Sequence, residues 1–228
     1  MSKTDFFNRE NRTSFFLNFL AVVLGIVITF GGESLLSRKE EKKNLNNCLD
    51  LVASELQTNR DYFTYCDSLL EDEVKAASFL IRYEDDYRKA PSDSLMMYAN
   101  IPLTLDEISI YTDAFELLKT SGVLTKVKDK RLALQIFEVY GAMQNLAQYM
   151  NLYFDHKEKY LEPAMNDEVK NLLASDDVTA EGFWSKMSDT KEGRQFLREM
   201  LRFLSLYDPS DIYEAADDLI GAIREYSK

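Results

Sequence analysis

LNNCLDLVASELQTNRDYFTYCDSLL, residues 45–70, places Leu45, Leu49, Val52, Leu56, Asn59, Phe63, Cys66 and Leu70 at intervals that alternate four and three. That is the heptad spacing of a helix that lays one stripe against another helix. The stretch predicts an all-α fold built on a long helix over Ser34–Tyr83, with a coiled-coil-like seam. Asn59 is the polar member of the seam. Buried there, it needs a hydrogen-bond partner and can set the register of the packing. The partner helix belongs either to the same chain or to a second copy.

Upstream, the seam gives way to a charged collar, Arg38-Lys39-Glu40-Glu41-Lys42-Lys43, and then to TSFFLNFLAVVLGIVITFGG, residues 13–32, which carries no charge. At a rise of ~1.5 Å per residue, about 20 residues cross a hydrocarbon core of ~30 Å. The reading is a transmembrane helix. A buried core helix is normally interrupted by charge within two turns. An interfacial helix needs a charged face. A cleaved signal needs a shorter apolar core and a small-x-small exit, which Thr29-Phe30-Gly31 does not match. The expected organisation is a tail at 1–12, a span at 13–32 and a helical extramembrane domain at 33–228. Lys3, Arg9 and Arg12 precede the span and Arg38, Lys39, Lys42 and Lys43 follow it, so basic residues do not decide the orientation. A short leading tail before a first apolar segment favours the tail inside and the domain on the extracytoplasmic side of a cell membrane. Ala21, Gly25 and Thr29 lie four residues apart and form a candidate contact face for another membrane helix.

Downstream, eight glycines and four prolines in 228 residues favour long helices over many strands. Glu84–Pro102 reads as an irregular loop whose apolar run Leu95-Met96-Met97-Tyr98 docks on the core. Thr104-Leu105-Asp106-Glu107 fits a capping box, followed by one helical face of Ile108, Tyr111, Phe115 and Leu118, with Gly122 as a left-handed cap. A helix from about Asp129 to Tyr160 buries Leu132, Ile136, Val139, Met143, Leu146 and Met150, and Pro163 closes it. A short helix spans Glu168–Ala174. Ser175–Lys191 reads as a polar block containing Trp184, with Asp189 as an N-cap candidate. In the last helical region Pro209 either kinks one helix or opens a new one capped by Asp208.

Four short segments and one tyrosine share an order with a known group. GIVITFGGESLLSRKEEKK at the span's exit is followed by Ser54-Glu55-Leu56-Gln57-Thr58-Asn59. Leu117-Leu118-Lys119-Thr120-Ser121-Gly122 then precedes Lys128-Asp129-Lys130-Arg131-Leu132, and Tyr140 follows. In this order the chain resembles a family of uncharacterised bacterial single-pass, membrane-anchored helical proteins, a domain of unknown function. The resemblance covers most of residues 13–150. It departs at Gly31-Gly32-Glu33-Ser34, where that family often has an Asn-rich, Trp-containing run. It implies a topology and carries no activity.

The chemistry-bearing residues are sparse. Beyond Gly32 the chain holds 24 Lys and Arg against 37 Asp and Glu, about −13, which argues against nucleic acid as a partner. Cys48 and Cys66 are eighteen positions apart, ~27 Å along one helix, beyond disulfide reach. They read as apolar packing residues. With His156 the sole histidine and no C-x-x-C, a zinc site is not expected. No phosphate loop and no G-x-S-x-G elbow occurs. Adjacent acids such as Glu71-Asp72-Glu73, Asp85-Asp86, Asp176-Asp177 and Asp217-Asp218 point ~100° apart on a helix and do not converge. The expectation is therefore no catalytic residue, no cofactor and no metal. The chain reads as a membrane-anchored interaction protein (a scaffold, adaptor or accessory subunit) that meets lipid and a protein partner or a second copy. The alternatives are a regulatory or sensor subunit signalling through a membrane partner and a carboxylate-dependent enzyme. An enzyme would show a pocket with converging acids, and a scaffold an exposed apolar groove.

Overall fold

The stripe at residues 45–70 lies on α1 (Arg38–Arg82), an uninterrupted helix of 45 residues. All of its members are buried, Leu49, Val52, Leu56, Asn59 and Phe63 without accessible surface. Asn59 finds its partner inside the same chain: its side-chain amide donates to the Tyr111 carbonyl and its oxygen accepts the Tyr111 N–H, each at 2.8 Å. The computed structural model describes residues 38–175 and 178–227. After α1 come α2 (Ser92–Tyr98), α3 (Asp113–Thr120), α4 (Lys130–Ala164), α5 (Asp167–Leu173), α6 (Ala180–Ser188), α7 (Lys191–Leu204) and α8 (Ser210–Tyr226), with no strand among the described residues. The fold is all-α. No helix among the described residues is long and apolar enough to cross a membrane. The stretch 13–32, with Ala21, Gly25 and Thr29, lies outside the described residues.

The chain divides into two compact units. Among the described residues the first takes 38–59, Tyr111–Tyr140 and 214–227. Its core joins Leu49 and Leu56 of α1 to Phe115 and Leu118 of α3, Ile136 of α4 and Ile223 of α8. Phe115 stacks on Tyr140 with ring centroids 4.3 Å apart. Gly122 takes the left-handed conformation expected of it, φ 71°, which ends α3 and turns the chain into a 3-10 turn at Val123–Lys126. Asp129 then caps α4, its Oδ1 accepting the N–H groups of Arg131 and Leu132.

Residues Thr104–Glu107 do not form the predicted capping box, and the helix starts nine residues later, at Asp113. The reason is tertiary. The Thr104 hydroxyl turns back to the Asn100 carbonyl, and its own carbonyl accepts from the Lys157 ammonium. In the second unit Asn151 holds Ile108 as Asn59 holds Tyr111, by paired 2.8 Å bonds to backbone N–H and C=O. Side-chain amides thus meet backbone groups that would otherwise need helix or water. Ile108 and Tyr111 consequently lie outside any helix, not on a helical face.

The second unit holds Arg60–Ile110 and Gly141–Tyr213. Its Glu84–Pro102 stretch is less irregular than expected, with 3-10 turns at Tyr87–Lys89 and Ile101–Leu103 around α2. Leu95 docks, whereas Met96 and Met97 stay 75% and 59% exposed. The block 175–191 is not simply polar. Thr179 caps α6 through the Gly182 N–H at 3.1 Å, and Trp184 is fully buried with its indole N–H on the Ala99 carbonyl at 3.0 Å. Asp189 is the C-cap of α6. The N-cap of α7 is Thr190, whose hydroxyl accepts the Gly193 N–H at 3.0 Å. Pro163 sits one residue before the end of α4. Asp208 accepts the Ser210 N–H, so Pro209 opens α8 and does not kink a longer helix.

Gly193 is where this unit tolerates least. A Cβ there would lie 1.8 Å from the Met187 carbonyl oxygen. A Gly→Ala change in a helix gains about 1 kcal/mol of propensity, but moving backbone by more than an ångström costs more, typically up to about 3 kcal/mol for overpacking. Gly193→Ala is therefore expected to lower the melting temperature. Gly221→Ala, on α8 with nothing within 4 Å of the added carbon, is expected to raise it. Thermal unfolding of the two variants by circular dichroism checks the opposite signs.

Candidate functional site

Two carboxylates of α1 are buried, one in each unit. In the first unit Glu55 of α1, 2% exposed, points at the N-terminus of α3. Its Oε2 accepts the Ala114 N–H at 2.8 Å, and its Oε1 accepts the Phe115 N–H at 3.2 Å and the Tyr140 hydroxyl at 2.5 Å. Thr112, at the N-cap position, makes no side-chain capping bond. Glu55 supplies that bond from another helix and sets negative charge against the positive end of α3. Burial pushes its carboxyl above the usual carboxylate range, against the pull of the three donors. Burial beside Glu55 also drives the Tyr140 phenol far above its ordinary value, so it stays a donor.

In the second unit Glu73 of α1 meets Lys157 and Tyr153 of α4. Lys157 Nζ donates to Glu73 Oε1 at 2.7 Å, the Tyr153 hydroxyl donates to Oε2, and Lys157 also holds the Thr104 carbonyl. Glu73 is 4% exposed and Lys157 1%. Burial pushes the Glu73 carboxyl up and the Lys157 ammonium down, each opposed by the other's charge. A third carboxylate, Asp67, accepts from the Tyr207 and Tyr213 hydroxyls at 2.5 Å each, and Arg60 lies 4.8 Å over the Tyr213 ring. Burial drives both phenols up.

Each of these carboxylates is closed in by donors from its own unit. Glu55 holds two backbone N–H groups and Tyr140, and Glu73 holds Lys157 and Tyr153, both carboxylates being buried. His156 is half-buried, 3.5 Å from Glu199, and packs on Phe203 at 5.2 Å. Neither Cys48 nor Cys66 forms a disulfide, both are buried, and burial pushes the Cys48 thiol up, away from the thiolate. No cluster of His, Cys, Asp or Glu among the described residues is arranged to hold a metal ion.

Concavities among the described residues include a polar one of about 750 Å³ within 189–199 of the second unit and two others. The second unit has an apolar groove of about 500 Å³ lined by Met96, Ala99, Leu103, Leu173, Val178 and Phe183 among others. The first unit has a cleft of about 680 Å³ lined by Glu41, Lys42, Leu45, Asn46, Lys126, Lys128 and Tyr226. Of the candidate seam, Leu45 also touches this cleft, while Leu49, Val52, Leu56 and Phe63 are core and Asn59 holds Tyr111.

Glu55 and Tyr140 each stand in or beside segments that carried the family resemblance. So do Asn59 and the Gly122 turn, and the structure brings all four into the first unit. Reading the sequence picked out Asn59 but missed Glu55. The available signal was the spacing: Glu55 and Asn59 are four apart, hence on one face, next to the buried Leu56. An acid on the flank of an apolar seam is ordinarily solvated, so the spacing alone does not announce a partner. Comparison of the chain with family models, with curated proteins and with solved structures finds no match in any of the three.

Proposed function

We propose that this chain is a membrane-anchored helical interaction protein, a scaffold, adaptor or accessory subunit, held by residues 13–32 with its helical part outside the cytoplasm. The anchor rests on the uncharged length of that stretch. The interaction role rests on one observation, the apolar groove of the second unit, where Met96 is 75% exposed at its rim. Exposed apolar surface with this concavity suits a protein segment better than water. The carboxylates, by contrast, are engaged with tyrosines, lysine and backbone.

The full chain is expected in the membrane fraction and to need detergent for release. Full-length, uncleaved protein in the soluble fraction overturns the anchor. Reporter fusions at each end read the orientation. A photo-crosslinking residue in place of Met96 is expected to form a protein adduct in native membranes, and a clean monomer there counts against the interaction role.

The second reading, a regulatory or sensor subunit acting through a membrane partner, draws on the Ala21, Gly25 and Thr29 face. It predicts self-association or a stable complex of the detergent-extracted chain in sedimentation. Cys48 and Cys66, both buried, are poor crosslinking handles for this purpose. A carboxylate-dependent enzyme is the weakest reading, since it needs acids converging on an open pocket.

A further inference from the structure

Charge is divided unevenly along the chain. Among the described residues the second unit carries 13 Lys and Arg against 22 Asp and Glu, the first 10 against 12. Within the first unit the positive charge gathers at the beginning of α1. Residues 38–43 bring Arg38, Lys39, Lys42 and Lys43 against Glu40 and Glu41. Residues 122–131 bring Lys126, Lys128, Lys130 and Arg131 against Asp129, and Asp129 is engaged in capping α4. The fold sets these two stretches together. Lys126 Nζ lies 2.8 Å from Glu41 Oε1, and Lys42, Lys126 and Lys128 line one cleft with Glu41 as the acid among the lining residues.

We propose that this cleft seats a phosphate-bearing headgroup of the bilayer, so that the first unit docks by its basic end on an anionic membrane surface. The proposal rests on the membrane-anchor reading. Lys42 is ten residues past Gly32, and ten residues reach at most ~35 Å, beyond the roughly 5–8 Å that the headgroup layer adds to each side of the hydrocarbon core, so lysine stems can keep their charge at that layer. The lining also suits a headgroup that carries hydroxyls. The Tyr226 hydroxyl accepts the Lys128 N–H at 3.1 Å and keeps its own proton to donate. Asn46, which donates to the Ser227 carbonyl at 2.6 Å, lines the same cleft. Lysines for the phosphate and a phenol hydroxyl for a glycerol hydroxyl match an anionic glycerol headgroup better than a zwitterionic choline.

The test is hydrogen–deuterium exchange on the full chain reconstituted in nanodiscs of phosphatidylcholine alone and with phosphatidylglycerol. Backbone amides of 122–129 are expected to exchange several-fold more slowly in the anionic discs. The effect should fade as salt shortens the screening length and should drop about fivefold per lysine removed, hence nearly vanish in Lys126→Gln with Lys128→Gln. Equal exchange in both discs, or protection indifferent to salt, overturns the proposal without touching the anchor, and neither needs the variant to fold. Failure of the chain to enter either disc overturns both. Protection by inorganic phosphate in neutral discs overturns the assignment to lipid.

Discussion

Lys157→Met is expected to destabilise the 38–228 fragment by about 3–5 kcal/mol, the usual cost of stranding one member of a buried ion pair. Methionine keeps most of the volume, so repacking accounts for less than about 1.5 kcal/mol of that. The rest is Glu73 left as a buried carboxylate with Tyr153 as its remaining donor, and the Thr104 carbonyl left without its ammonium. Urea titration followed by helical circular dichroism reads the loss. Adding Glu73→Gln removes the stranded charge, so the double variant should be more stable than Lys157→Met alone, and a double that costs the sum of the two singles refutes the pairing. The pH dependence has a definite sign. Burial already holds the Glu73 carboxyl above its ordinary 4.5, and loss of the lysine raises it further. The penalty of Lys157→Met therefore shrinks as pH falls through that raised value, where Glu73 takes up a proton.

Glu55→Ala is the second large loss, about 3 kcal/mol at neutral pH. It orphans the Ala114 and Phe115 N–H groups and the buried Tyr140 hydroxyl, each worth about 1–3 kcal/mol when left unmet. Relief of a desolvated charge offsets part of that sum. Opening is expected to be local, at α3, where exchange of the Ala114 and Phe115 amides should speed up before global unfolding. Glu55→Gln separates charge from geometry. Because the folded carboxyl lies above its ordinary 4.5, the native fold binds the proton more tightly than the unfolded chain. That contribution is fully present below 4.5 and is lost as pH rises through the raised value. The advantage of Glu over Gln should thus narrow as pH rises across that window. A widening gap would mean the donors around Glu55 outweigh its burial.

How much of this was legible differs element by element. The stripe from Leu45 to Leu70 was readable because burial on one helix face imposes a period that sequence displays directly. Gly122 was readable because a left-handed residue at a helix end favours glycine for local, steric reasons. Thr104–Glu107 misled because a capping box is a local preference of about 1 kcal/mol, and Lys157 and Asn151, about fifty and forty residues away in sequence, bind the Thr104 carbonyl and the Ile108 backbone outside a helix. Trp184 was missed inside a polar block because Asp189, read there as an N-cap, instead closes a helix that Thr179 opens, and Thr190 caps the helix after it.

What the chain's order of residues determined by itself is the helical class, the long α1 with its seam, the Gly122 turn and an uncharged stretch of membrane-crossing length. These follow from periodicity, chain stiffness and transfer of apolar side chains from water, all of which act within a few turns. Which acids are buried, who caps α3, and that lysines more than eighty residues apart share one cleft were decided by tertiary structure. Those are pairings across sequence distance, and a partner's position enters no local pattern.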